Sequence, residues 1–178
     1  MVTPVLQLQE MPAELQALLE SEYAFLVLLG IFVLEGAMLM YVMPSELIVP
    51  GAIVLIGDTS SFLSPQNFAI ISVAVVGATI GQYALFKVAR RGGREYLLEK
   101  RWFRISEEKL DRFDGWFDRW GPIVVLLSNT MLFTRGMLTV PAGFSELSDR
   151  KFVAYSALGT LSFEVILAGL FVFLGRLL

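Results

Sequence analysis

Four ionisable side chains, Glu35, Glu46, Arg135 and Glu164, lie in otherwise apolar segments of this 178-residue chain. An ionisable group in such surroundings is costly to bury, so a functional role is its default hypothesis. A buried carboxylate can take up a proton near neutral pH, and a guanidinium offers a planar fork of donors that suits phosphate. These residue types therefore suit proton or ion coupling and the binding of an anionic group.

Each charged residue also has a structural explanation. Ser45 can cap a helix whose first turn then holds Glu46. Arg135 can be a fixed counter-ion for a glutamate, or it can hold a phosphate in one state and a carboxylate in another. Glu164 can face the same cavity or pair with Arg135. We assign Glu35, Glu46 and Glu164 to proton or ion coupling. We assign Arg135, Asn129 and Thr130 to substrate binding.

Two interrupted apolar hairpins carry most of these residues. Residues 36–57 read GAMLMYVMPSELIVPGAIVLIG, and residues 120–145 read WGPIVVLLSNTMLFTRGMLTVPAGFS. Each is followed by an apolar stretch that could cross a bilayer, 66–89 or 152–175. Discontinuous segments repeated in two halves are typical of transporters with internal repeats. The residues expected to shape the breaks and leave backbone groups free for a ligand are Pro44, Pro50, Gly51, Gly136, Pro141 and Gly143.

Composition indicates a membrane protein and excludes several kinds of chemistry. The chain is 56% hydrophobic with a mean hydropathy of +0.67, which is too apolar for an ordinary soluble domain. The absence of cysteine excludes a thiolate nucleophile and a Cys-ligated metal site. Histidine, the commonest metal ligand and the usual catalytic base, is also absent. We therefore predict no metal, no cofactor and no enzymatic activity.

The distribution of basic residues predicts the topology. No lysine or arginine precedes Lys87, and most of the 14 basic residues lie in 87–119 and 150–151. The positive-inside rule places these segments in the cytoplasm, which leaves the N-terminal arm and the 58–65 loop outside. Both termini are then extracytoplasmic. The N-terminal region lacks the basic n-region of a signal peptide.

Segment length favours hairpins that do not cross the bilayer. A crossing by 22–43 would need a second one by 46–57, and ~11 helical residues cover only about half of the ~30 Å hydrocarbon core. Hairpin one is therefore predicted to enter from outside and return, and hairpin two, 121–147, to enter from inside and return. The predicted fold class is an all-α polytopic membrane protein, an inverted repeat of a re-entrant helical hairpin plus a transmembrane helix, with interfacial amphipathic helices.

One membrane domain, residues 1–178, accommodates these segments. The first transmembrane helix is predicted to end at 90–93, and an interfacial helix with tryptophan anchors to start near Ser106. Gly77, Gly81 and Gly159 are predicted to permit close helix packing. In chain order the domain comprises an amphipathic arm (1–21), repeat one (22–90), a cytoplasmic amphipathic link (91–120) and repeat two (121–178).

Three stretches resemble the DedA family of membrane proteins, also called SNARE-associated or VTT-domain proteins. LEGAMLMYVMPSELIVPGAIVLIG at 34–57 is similar to the family's glutamate, Pro-Ser-Glu or Pro-Gly-Asp break and apolar run ending in glycine. GATIGQYALFKVARRGG at 77–93 is similar to its glycine-rich helix. NTMLFTRGMLTVPAG at 129–143 is similar to its Arg-Phe-x-Pro-x-x-Arg run followed by Pro-Ala-Gly. The resemblance covers roughly residues 30–175.

The resemblance implies a lipid carrier. Family members are linked to flipping or scrambling of lipids, including recycling of polyprenyl-phosphate carriers, and to dependence on the proton motive force. The family's functional acids fall on Glu35 and Glu46, and its second arginine falls on Arg135. Its first arginine is replaced by Asn129, and an aspartate of its glycine-rich helix by Gln82. The loss of one arginine favours a less anionic substrate or a compensating group elsewhere.

The sequence leaves more than one class of function open. We favour a membrane lipid transporter, a flippase or scramblase, for a phosphate-bearing lipid such as a polyprenyl phosphate or phospholipid, either coupled to protons or Na⁺ or uncoupled. The alternative is a small-ion or drug/proton exchanger using the same carboxylates. An intramembrane enzyme has little support, because the sequence has no Ser-His, Cys-His or HExxH pattern. The expected protein is a multi-pass protein of the cell membrane with lipid partners and no nucleic acid; a homo-oligomer is compatible with the sequence.

Overall fold

A computed structural model describes residues 21, 23–39, 45–99, 107–132 and 134–177. Residues 1–20 of the predicted amphipathic arm, Pro44 and Ser106 lie outside these residues. The regular structure within them is helical. In chain order the helices are α1 (Ala24–Gly36), α2 (Ile48–Ile56), α3 (Pro65–Glu99), α4 (Glu107–Trp120), α5 (Ile123–Thr130), α6 (Thr139–Phe144) and α7 (Asp149–Leu177), with a 3-10 turn at Ser45–Leu47 before α2.

Within the described ranges, α3 and α7 are the helices long and apolar enough to cross a membrane. Their apolar parts, Pro65–Gly92 and Asp149–Gly175, contain 28 and 27 residues. At 1.5 Å per residue each part is about 40 Å long, which exceeds the ~30 Å hydrocarbon core. The two predicted long apolar helices are therefore confirmed.

The predicted end of the first long helix is wrong. Helix α3 continues through Gly92 and Gly93 to Glu99 instead of ending at 90–93. Each glycine disfavours a helix by only about 1 kcal/mol relative to alanine. The residues that follow, REYLLE, include five of the straight-chain types that lose little freedom in a helix. The favourable run after the glycines therefore outweighs their cost.

The other apolar helices are short. α1 and α2 contain 13 and 9 residues, and α5 and α6 contain 8 and 6. Even α1 extends only about 20 Å. Two short helices followed by one long helix thus occur twice along the chain, with the amphipathic α4 between the two sets.

Helix α1 ends at a Schellman motif next to the first break. Met38 takes a left-handed conformation with φ of 57°. Its N–H donates to the Glu35 carbonyl, and the Leu39 N–H donates to the Leu34 carbonyl, both at 2.9 Å, as the motif requires. This conformation costs a non-glycine residue about 1–2 kcal/mol. The motif places Glu35 in the last turn of α1.

The first helix of each set packs on the long helix of the same set, α1 on α3 and α5 on α7, and the long helices pack on each other. Glycines allow these close approaches. A Cβ added at Gly81 of α3 would clash with the Val33 carbonyl of α1. One added at Gly159 of α7 would lie 2.6 Å from the Leu126 carbonyl of α5. The predicted packing role of the glycines is confirmed.

The second helix of each set reaches the long helix of the other set. α6 packs on α3, and α2 packs on both α3 and α7. One apolar core, which includes Phe32, Ile53 and Ile70, therefore joins α1, α2, α3 and α7. Another core around Phe86 and Phe152 joins α3 to α4, α5, α6 and α7.

A charged cluster joins α3 to the start of α7. The Asp149 carboxylate accepts hydrogen bonds from Lys87 Nζ at 2.8 Å, Arg90 Nη1 at 2.8 Å and the Tyr83 hydroxyl at 2.7 Å. Arg90 also donates to the Ser145 carbonyl at 3.1 Å. This cluster lies at the start of α7 and near the end of the apolar part of α3, Pro65–Gly92, on the side that the positive-inside rule predicts to be cytoplasmic.

The interfacial helix predicted in the link corresponds to α4, which begins at Glu107. Phe117 is buried, whereas Trp116 and Trp120 are about half exposed. α4 packs on α5 and α6, so it covers part of the second set of helices.

Candidate functional site

The irregular segment between α5 and α6, which the structure describes at residues 131–132 and 134–138, positions Arg135. After α5 the chain becomes extended at Met131 and then turns at Gly136, whose φ of 72° favours glycine. The Met137 N–H donates to the Thr134 carbonyl, and the Thr139 N–H donates to the Gly136 carbonyl, both at 3.0 Å. These consecutive turns hold the Arg135 side chain inside the protein, where it is 4% exposed.

Arg135 lies between two carboxylates from different halves of the chain. Its Nη2 is 2.8 Å from Oε1 of Glu164 on α7 and 3.5 Å from Oε2 of Glu35 on α1. The Glu164 side chain is fully buried and that of Glu35 is 13% exposed. The structure therefore brings together three of the four charged residues identified in the sequence.

Two donors of the Arg135 guanidinium have no partner within the part of the chain that the structure describes. The guanidinium carbon lies 4.4 Å from the ring centre of Phe163, a cation–π arrangement. Its Nε and Nη1 are buried and have no hydrogen-bond partner among the described residues. A buried donor without a partner carries a desolvation cost of about 1–3 kcal/mol. With respect to the described ranges, Arg135 thus retains two donors for a further acceptor.

Glu46 contributes a like charge nearby. It is half-buried in the 3-10 turn before α2, and it acts on Glu35 electrostatically. Glu35 in turn acts on Glu164 in the same way. Glu46 therefore lies close enough to Glu35 to act on its charge, and Glu35 close enough to Glu164, whereas among the described contacts Arg135 pairs with Glu35 and Glu164 only.

Asn129 lies directly behind the Arg135 segment in a buried network. Its Oδ1 accepts the Gly136 N–H at 3.1 Å, and its Nδ2 donates to Gln82 Oε1 at 2.9 Å and to Ser156 Oγ at 3.2 Å. Ser156 also donates to Gln82. This network links α3, α5 and α7 to Gly136, the residue after Arg135. The side-chain amide of Asn129 is therefore engaged in hydrogen bonds within the protein.

Thr130, the other neutral residue assigned to the substrate, is engaged by backbone. Its hydroxyl donates to the Leu126 carbonyl at 2.9 Å and lies 3.5 Å from the Gly159 carbonyl. The structure thus places Thr130 against α7. A direct substrate contact by Asn129 or Thr130 stays a prediction.

Among the residues expected to shape the breaks, only Gly136 lies in an irregular segment of the described chain. Pro50 and Gly51 lie in the first turn of α2, and Pro141 is the third residue of α6, where a proline costs no intrahelical hydrogen bond. Gly143 approaches α3 closely, because an added Cβ would lie 2.8 Å from the Phe86 carbonyl.

Sequence reasoning did not identify three residues around the site as partners. Gln82 and Ser156 are polar residues in apolar helices, which is a usable signal, but their contact with Asn129 joins residues 47 and 27 positions apart. Phe163 gives no signal, because an aromatic residue in an apolar helix is ordinary. Gln82 and Asn129 are also the two positions at which charged residues of the resembled pattern are replaced, and the structure places them in contact.

Comparison with known proteins places the chain in a family. A family model described as the VTT domain matches residues 43–177. The chain is 29% identical over 136 residues to undecaprenyl phosphate transporter A of Bacillus subtilis (strain 168), covering 75% of this chain and 64% of that protein. It is 26% identical over 156 residues to undecaprenyl phosphate transporter A of Staphylococcus aureus (strain NCTC 8325 / PS 47), covering 84% and 74%.

A third relative is the uncharacterized membrane protein YbfM of Bacillus subtilis (strain 168), 22% identical over 90 residues, with 50% of this chain and 56% of that protein covered. No solved structure matches the chain with significance. The family match covers about three quarters of the chain and confirms the resemblance seen in the three sequence stretches. The chain is therefore a membrane protein of the VTT-domain (DedA) family, related to undecaprenyl phosphate transporter A.

Proposed function

We propose that this protein transports a phosphate-bearing lipid across the cell membrane and that Arg135 binds the phosphate. The observation that carries the proposal is the buried guanidinium, which has two donors without a partner in the described part of the chain. A planar fork of charged donors in a dry site matches the geometry of a phosphate. The relatives named undecaprenyl phosphate transporters support a polyprenyl phosphate as the substrate.

The charges around Arg135 link phosphate binding to proton uptake. One guanidinium and two ionised carboxylates carry a net charge of −1, and an uncompensated buried charge is costly. A proton or a bound cation neutralises the cluster. When a phosphate replaces a carboxylate at Arg135, the released carboxylate takes up a proton and limits the accumulation of negative charge. Sodium bound by the same carboxylates has the same effect on the charge.

The position of the cluster supports alternating access. Glu35 comes from the first set of helices, whereas Arg135 and Glu164 come from the second. The lengths of α1, α2, α5 and α6 support re-entrant hairpins, because about 20 Å or less of helix does not cross the ~30 Å core. Movement of one set against the other changes which carboxylate Arg135 contacts and which side of the membrane it faces.

Transport assays in proteoliposomes test the function. The purified protein is reconstituted in phosphatidylcholine vesicles, and movement of a polyprenyl monophosphate between leaflets is measured beside proton-driven movement of small cations. We expect protein-dependent movement of the lipid phosphate and none in empty vesicles. Cation or drug exchange without lipid movement would establish the alternative exchanger function and contradict this proposal.

A further inference from the structure

The segment that carries Arg135 also forms one wall of an apolar groove. The groove has a volume of about 470 Å³, within the range of roughly 300–1,000 Å³ of small-molecule sites. Helix α4 forms a second wall and α5 the third. The residues that define these walls include Trp116, Trp120, Val124, Leu127, Met131 and Met137.

The two hydroxyl groups in the groove wall are already engaged with the backbone. Ser128 donates to the Thr134 carbonyl, and Thr134 donates back to the Ser128 carbonyl at 3.1 Å. The remaining lining residues described by the structure have apolar side chains, apart from the indole N–H groups of the two tryptophans. Water needs two to four polar partners to occupy such a site. The chemistry of the wall therefore suits a hydrocarbon ligand.

The groove continues onto the apolar surface of α5 and the segment after it. Ile123, Leu127 and Met131 are each about half exposed, as expected of side chains that face lipid. The half-exposed Trp116 and Trp120 flank the groove, and tryptophan is enriched where hydrocarbon meets head groups. A lipid chain can thus enter from the bilayer without leaving an apolar environment. Met131 and Met137 can adapt their shape to a flexible chain.

We propose that this groove binds one hydrocarbon chain of the lipid whose phosphate Arg135 binds. The inference rests on the proposed function for the head group, and the shared residues 134–138 link the two sites. Thr134 in the groove wall is the immediate neighbour of Arg135 in the chain. A lipid bound at both sites would have its phosphate in the buried charge cluster and its chain along α4 and α5. Chain length and branching then determine affinity together with the phosphate.

Photo-crosslinking tests the groove directly. The probe is a polyprenyl monophosphate with a diazirine in its chain, added to the full-length protein in phosphatidylcholine vesicles, and the labelled positions are identified by mass spectrometry. Leu127→Trp fills the groove, and Leu170→Trp is the matched control, because Leu170 on α7 is about as exposed as Leu127 but does not line the groove. Leu127→Ala removes bulk and keeps the groove open.

We expect the label on groove residues in the wild type, in Leu170→Trp and in Leu127→Ala. Leu127→Trp should lower the labelling of groove residues roughly tenfold, because a tenfold loss of binding corresponds to about two methylene groups of the lipid chain that are no longer buried. Unlabelled polyprenyl phosphate should compete with the label, and extra phosphatidylcholine should not. Label that spreads over α7 and is unchanged by Leu127→Trp would overturn the proposal. A groove that the probe never labels would also overturn it, because another part of this chain or a second copy would then fill the groove.

Flux measured in the same vesicles separates this inference from the proposed function. Lipid-phosphate flux without groove labelling would overturn the groove alone. Groove labelling that is competed by polyprenyl phosphate in a protein without flux would keep the hydrocarbon site and contradict transport.

Discussion

At the residue scale, the proposed transport depends on one guanidinium shared between carboxylates of both halves of the chain. Arg135 is the cation of this buried cluster. When Glu35 and Glu164 are both ionised, the three residues carry a net charge of about −1. Any anionic ligand increases that negative charge. In the proposed transport, we therefore expect the charge balance of the site itself to favour uptake of a proton or a cation.

We expect the acids of hairpin one to determine the pH dependence of transport. Glu35→Gln and Glu46→Gln mimic the protonated forms, so each should flatten the profile of lipid-phosphate flux against pH beyond any fall in rate. Glu108→Gln is the control, because Glu108 is exposed on α4 and pairs with Arg112. Lipid-phosphate flux between the two leaflets is measured in vesicles whose internal and external pH differ. An unchanged profile in both hairpin variants would show that these acids are structural and leave Glu164 to be tested.

The neutral pair Gln82 and Asn129 should tolerate charge only when both residues change. Asn129→Arg places a cation in a buried site without a counter-ion, which should destabilise the protein by about 3–5 kcal/mol. Adding Gln82→Asp supplies the counter-ion and should restore a large part of the loss. Thermal unfolding in detergent of both single variants and the double variant gives the coupling energy. Additive losses would show that the two side chains do not interact in the folded protein.

The charged residues of the site are predictable from sequence, whereas their partners are not. Glu35, Arg135 and Glu164 stand out because ionisable groups in apolar segments need a reason to be there. The contact between Arg135 and Glu35 joins residues 100 positions apart. No periodicity in the sequence shows such a contact, because it depends on how two helix sets pack.

At the element scale, close contact between helix backbones holds the short helices against the long ones. Gly36, Gly77 and Gly81 line the approach of α1 to α3, so the position of Glu35 depends on residues that carry no functional group. Gly159 has the same role between α5 and α7. The packing of each first helix is thus built in the same way in both sets.

Gly81→Ala should be strongly destabilising, and Gly30→Ala should not. The new methyl at position 81 would clash with the Val33 carbonyl, and overpacking of this kind costs about 1–3 kcal/mol. A Cβ at Gly30 meets nothing within 4 Å, so alanine should be neutral or stabilise the helix by up to about 1 kcal/mol. Thermal unfolding of the two variants makes the comparison. Equal stability would mean that α1 and α3 are further apart than the structure shows.

Helix boundaries are only partly predictable from local signals. Helix α3 begins at Pro65, a residue that favours the first position of a helix, whereas Ser106, near which α4 is predicted to start, lies outside the described residues. The glycine pair at 92–93 wrongly predicts an end, since the helix-forming residues after it dominate. The end of α1 uses Met38 in a conformation that favours glycine, so the sequence carries no sign of the motif.

At the scale of the whole molecule, the repeated order of two short helices and one long helix agrees with the order read from hydropathy. The exchange of second helices between sets, with α6 on α3 and α2 on α7, was not predictable, because hydropathy shows which segments are apolar and not which ones meet. Orientation in the membrane stays a prediction from charge.

Cysteine labelling on this cysteine-free chain tests the topology. A cysteine at Ser61 should react with a membrane-impermeant reagent from outside, and one at Ser106 only after the membrane is permeabilised, since basic residues are retained in the cytoplasm. Labelling at Ser106 from outside, or protection at Ser61, would contradict the inverted topology.

The most direct test of the proposed function is lipid-phosphate flux in vesicles with wild-type protein, Arg135→Lys and Arg135→Ala. Lysine keeps the charge and loses the planar fork, so both variants should lose flux by about 10- to 100-fold, the value of a charge-assisted hydrogen bond of ~1.5–3 kcal/mol. Arg119→Ala, at an exposed site on α4, should retain wild-type flux, and all variants should purify as folded protein. Wild-type flux in folded Arg135→Ala would show that the buried guanidinium does not bind the phosphate.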